Sequence, residues 1–189
     1  MKYLFLILFF SISTFSQEIK NYSIQLEWFN HANLCLDFKD NKSAFSSFKK
    51  AYDVDINSDL GFLAYKKLDS LNRILKSNLL KDISGKWEIV SSGSNWGISQ
   101  GKIGLITIKD SYINFEFYDE SYSIQNSKLD LLVDDFLNYS YSEFIFDNNS
   151  IWKFSLKNNK LYITEMGERT AFGISDMVCG NFSMECIRK

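Results

Sequence analysis

Apolar residues follow two different periods along this chain, and the change falls near residue 84. From about 23–38, Leu26, Phe29, Ala32 and Leu36 recur at helical spacing, with Trp28 and Cys35 on an adjoining row. A second helical segment, about 43–54, carries Ala44, Phe45, Phe48, Ala51 and Tyr52 on one face. A third, about 59–77, carries Leu60, Ala64, Leu68, Leu71 and Leu75 as a stripe. The connections 39–42 and 55–58 are short and polar, which suits antiparallel neighbouring helices. Ser58 is placed to cap the third helix, with Asp59 favourable in its first turn.

Beyond residue 84 the period is two. Ile113, Phe115 and Phe117 alternate with Asn114 and Glu116, and Trp152, Phe154 and Leu156 with Lys153, Ser155 and Lys157. Candidate strands fall at 86–92, 102–109, 111–118, 122–133 (interrupted), 141–147, 150–157, 160–166 and 181–188. Turn signals separate them: Lys109-Asp110, Asp147-Asn148-Asn149, Asn158-Asn159 and Cys179-Gly180-Asn181. The stretch from Glu165 through Met166, Gly167, Glu168 and Arg169 to Thr170 reads as a polar turn after the seventh strand. About eight short antiparallel strands favour an up-and-down barrel, closed so that no edge is left open. The predicted class is therefore α+β: a helical hairpin and third helix over 20–80, then a small β-barrel over 84–189. Glycine usage agrees. Gly61 stands alone between residues 18 and 83, and the other eight lie from Gly85 onward.

Ahead of both parts lies Met1-Lys2 and an apolar run from Tyr3 to Phe10, continued by Ile12 and Phe15. One positive charge, a short hydrophobic stretch and small residues at Thr14 and Ser16 predict a signal peptide over 1–16, cleaved before Gln17. The run is shorter than the ~20 residues that span a bilayer. No cysteine follows it to take a lipid. The expectation is an exported protein, periplasmic or secreted, without a membrane anchor after cleavage. Abundant Lys, Asn, Ile and Ser with no Pro in 189 residues resemble the usage of AT-rich bacterial genomes. The Asn-x-Ser triplets at Asn21, Asn41, Asn138, Asn148 and Asn181 are then chance products rather than glycan acceptors.

Two resemblances follow from these segments. Trp28, Ala32, Ala44, Phe48 and Ala51, followed by Asp55-Ile56-Asn57-Ser58, resemble one tetratricopeptide repeat, although Ile56 stands where the family usually places Pro. In that arrangement small alanines let the helices approach and Trp28 and Phe48 fill the space between them. The resemblance implies a helical hairpin that can bind a protein partner. Gly85-Lys86-Trp87, opening the first strand after a helix, resembles the Gly-x-Trp signature of the lipocalin (calycin) superfamily. The family implies a barrel whose Trp plugs the closed end beneath an Arg, here Arg188 on the last strand. It further implies an interior for a small apolar ligand. Phe115, Phe117, Phe144, Phe146, Trp152 and Phe154 are the candidate lining, with Trp96, between Asn95 and Gly97, as a candidate lid at the mouth. The competing reading of the six interior rings is ordinary barrel filling.

Composition removes other chemistries. A formal charge of −2 leaves no basic excess for a phosphate backbone, so no nucleic acid partner is expected. His31 is the only histidine, which excludes a multi-His metal site within one chain and leaves no second His for nucleophilic catalysis. Acidic pairs at Asp119-Glu120, Asp134-Asp135 and Glu165/Glu168 read as solvated turns, and no phosphate-binding glycine loop is present. No catalytic residue, metal or cofactor is predicted. Cys179 and Cys186 are too far apart along an extended strand to bridge unless the chain folds back between them; Cys35 would have to dock against the barrel to bridge either, and is expected to be a buried free thiol. These readings point to an exported, non-enzymatic binding protein for a small apolar ligand. The alternative is a protein-interaction module with a filled barrel, possibly an inhibitor of an envelope partner.

Overall fold

A computed structural model describes residues 2–94, 103–109, 111–118, 124–131, 140–171, 173–176 and 181–189. Three helices, α1 (Lys2–Asp37), α2 (Asn41–Val54) and α3 (Asp59–Ile83), precede nine strands. These are β1 (Gly85–Ser94), β2 (Ile103–Lys109), β3 (Tyr112–Tyr118), β4 (Ile124–Asp130), β5 (Glu143–Ile145), β6 (Ser150–Lys157), β7 (Lys160–Thr170), β8 (Gly173–Asp176) and β9 (Phe182–Arg188). The chain divides into two compact units, Met1–Leu75 and Lys76–Lys189. The α+β class stands. The helical segment does not end near residue 77, however. α3 continues to Ile83 because Leu79, Leu80 and Ile83 pack on the apolar cluster of the second unit.

In the first unit, α1 covers both the apolar N-terminal run and the first amphipathic segment. Among the described residues no helix is long and apolar enough to cross a membrane. Asp40 caps α2 by accepting the Ser43 N–H at 3.1 Å. Ala32, Ala44, Phe48 and Ala51 are fully buried, and Phe29 meets Phe48 edge to face at 5.2 Å. Trp28 is half-buried, edge-on to His31, with the ammonium of Lys50 on α2 3.8 Å from its ring centre.

A polar knot joins the three helices. The buried Gln25 amide on α1 donates to the carbonyls of Ala51 (2.9 Å) and Asp55 (2.8 Å), satisfying acceptors that the end of α2 leaves open. Its Oε1 accepts from the Ser58 hydroxyl at 2.8 Å, and the Ser58 oxygen accepts the Gly61 N–H at 2.9 Å, so Ser58 caps α3. Gly61 is obligatory there: a Cβ would stand 2.2 Å from the Asp55 carbonyl oxygen.

Among the described residues the nine strands of the second unit form one antiparallel sheet. Eight run in the order β4-β3-β2-β1-β9-β7-β6-β5, and β8 pairs only with β7. First and last strands are hydrogen-bonded, Trp87 opposite Arg188, so the meander curls back on itself. The predicted full closure is not continuous. Among the described residues β4 and β5 meet through one bridge, Leu131 with Phe146. Beside it the Asp147 N–H donates to the Asp130 carbonyl at 2.9 Å, and the Asp130 N–H to Asp147 Oδ1 at 3.3 Å. The result is a curled half-barrel.

The predicted turn over 165–170 is instead strand. β7 runs through it, exchanging its partner β9 for β8. Opposite β6 the register shifts between Ile151 and Trp152, next to Gly167 at φ 144°. Such a bulge lets a strand absorb one extra residue and continue, and glycine accepts the positive φ without a Cβ penalty. Asn158 and Asn159, at φ 51° and 62°, make the two-residue turn joining β6 to β7.

Candidate functional site

Alternation along each strand sends one set of side chains inward, and the register aligns these sets in rows. Trp87 lies opposite Ile106, which lies opposite Phe115; Ile89 aligns with Cys186 and Leu161; Met184 aligns with Ile163 and Phe154. All belong to one buried cluster. On the opposite face Ile145, Ile151 and Met166 form a separate small one.

Six of the seven candidate ligand residues are brought together inside the sheet. Phe115 stacks on Phe117 at 5.8 Å between ring centres and meets Trp152 at 5.5 Å. Phe154 lies edge-on to Phe144 at 5.3 Å and to Phe146 at 6.5 Å. Phe115, Phe144, Phe146, Trp152 and Phe154 are buried, whereas Phe117 is half-buried at the margin. The Trp152 indole N–H is already engaged: it donates to Ser150 Oγ at 2.9 Å, whose own hydroxyl donates to Asn148 Oδ1 at 2.7 Å. The rings therefore present faces and edges, and no free indole donor, to whatever shares this space. Trp96, the candidate lid, lies outside the described residues.

One end of the half-barrel is built from residues of both terminal strands and the tail of α3. Gly85, at φ 132°, lets the chain leave the helix and enter β1. Two residues on, Trp87 is almost fully buried and its indole donates to the Ile83 carbonyl at 2.7 Å. The Arg188 guanidinium carbon sits 4.7 Å from the Trp87 ring centre, while Nη2 donates to the Asp82 carbonyl at 2.6 Å. Both bonds go to carbonyls that the end of α3 cannot satisfy internally. The Lys76 ammonium stands 5.4 Å from the centre of Phe144.

This interior is chemically quiet. Among the described residues no carboxylate, Lys, Arg or His is buried. The titratable member of the cluster is Cys186, whose thiol burial pushes up to about 12, with the Glu185 charge adding to the effect. A thiol so placed stays protonated at neutral pH and is a poor nucleophile. Glu165 and Glu168 are on β7 rather than in a turn, Glu165 half-buried and Glu168 exposed. Asp119-Glu120, Asp134-Asp135 and Cys179 lie outside the described residues. Cys35 is free but only half-buried, not buried as expected, with Sγ 3.7 Å from His31 Nδ1. His31 Nδ1 also shares a 2.9 Å hydrogen bond with Ser47 Oγ across the helix pair. No group of three or more ligating side chains able to hold a metal occurs among the described residues.

Two internal polar residues, Gln25 and Asn72, are not named by the apolar pattern. Both lie at helical spacing with the apolar stripes, Gln25 four residues before Phe29 and Asn72 four residues after Leu68, but their polar side chains mask the inward face. Asn72 is fully buried with neither amide atom hydrogen-bonded. Comparison of the chain with family models, curated proteins and solved structures gives no match.

Proposed function

We propose that this chain is an exported, non-enzymatic binding protein whose lipocalin-like half-barrel receives a small apolar ligand. The observation that carries the reading is the continuous ring array Phe117–Phe115–Trp152, buried at one end and half-exposed at Phe117. Transfer of apolar surface from water to such an array is favourable by roughly 25 cal/mol per Å², and the quiet interior favours a guest whose buried part is uncharged, with any charged group left at the half-exposed margin. Because the rings touch one another, the ligand enters by turning Phe117 aside.

The test is titration of the protein with a fluorescent apolar probe, 1-anilinonaphthalene-8-sulfonate, followed by displacement with palmitate. Saturable binding that falls at least tenfold in Phe117→Asp, with an unchanged far-ultraviolet circular dichroism spectrum, supports the reading. Equal binding by both proteins, or none by either, overturns it.

A second reading, a protein-interaction module in the cell envelope, is favoured by the surface of the helical unit. Phe38 is 83% exposed and Phe62 54%, with Leu34, Ile56 and Leu63 also exposed. The tetratricopeptide-like hairpin fits that use. Here the barrel is filled by its own rings, and Phe38→Ser with Phe62→Ser would abolish partner binding while leaving probe binding intact.

A further inference from the structure

We draw no further inference here: the strongest candidate, the Cys35–His31–Ser47 cluster between α1 and α2, rests on a single thiol and on hydrogen bonds within the cluster itself, and nothing in the structure points to a ligand there.

Discussion

Between α1 and α2 the fully buried positions include Ala32, Ala44 and Ala51, whereas the buried residues of the sheet include Trp87, Phe115, Phe146, Trp152 and Phe154. The helical unit thus gains close backbone approach at these positions; it buries Phe48, Leu68, Leu71 and Leu75 and leaves many of its other large side chains outside. Eight of the eleven exposed large hydrophobics among the described residues fall between Tyr22 and Ile74. Polar groups follow the same division. Among the described residues the helices bury Gln25, Ser47 and Asn72, and the sheet buries Ser92 and Ser150. A sheet whose backbone groups pair across strands needs few internal side-chain bonds. Helix ends must find partners for open carbonyls, and Gln25 supplies them.

This contrast predicts where substitutions are costly. Phe154→Ala removes a ring that touches both Phe144 and Phe146 and costs about 3–5 kcal/mol, read as a lower denaturation midpoint. Phe62→Ala in the helical unit, by contrast, changes stability by less than about 0.5 kcal/mol. A comparable loss at Phe62 would mean that the helical surface is covered in the native protein.

Gln25→Leu keeps the volume but leaves the Ala51 carbonyl without its side-chain donor and the Asp55 carbonyl with the Ser58 hydroxyl alone, at a cost on the order of 1–3 kcal/mol. Asn72→Leu has the opposite sign: removing an amide with no partner leaves stability unchanged or raised. Chemical denaturation of both variants checks the pair. A destabilised Asn72→Leu would show that this amide is hydrated or paired in solution.

Smaller effects belong to the helix termini. Arg188→Lys retains the charge but loses the planar fork that reaches both Trp87 and the Asp82 carbonyl, and costs roughly 0.5–1 kcal/mol in thermal unfolding. At Asp40, hydrogen bonding from the Ser43 side chain and then its backbone N–H holds the carboxyl below its ordinary value. Its contribution is therefore present above the unfolded-state value of about 3.9 and is lost as pH falls through the lowered folded value. Helical circular dichroism followed between roughly pH 5 and 2, with Asp40→Ala as reference, reads this component.

How much of this was legible depends on whether the signal was local. Period-two alternation at Ile113/Phe115/Phe117 and Trp152/Phe154 was enough to identify strands and inward faces, and Asn158-Asn159 to identify their turn. The end of α3 has no local signal, because Leu79, Leu80 and Ile83 pack on strands distant in sequence. Gly167 among charged neighbours looks like a turn, and it takes the bulge opposite β6 to show that β7 continues through it. The candidate rings could be named from alternation. Which ring meets which depends on the curl and register of the whole sheet, and no strand contains that information alone.

The central claim concerns the occupant of the sheet interior. Its most direct test is native mass spectrometry of the full-length gene product, purified from an exporting host, beside a denatured sample. The account predicts a bound mass that disappears on denaturation and returns when palmitate is added, with a denatured mass corresponding to a chain beginning at Gln17. A native mass equal to that of the bare chain, unchanged by palmitate, would contradict it and leave the interaction-module reading in its place.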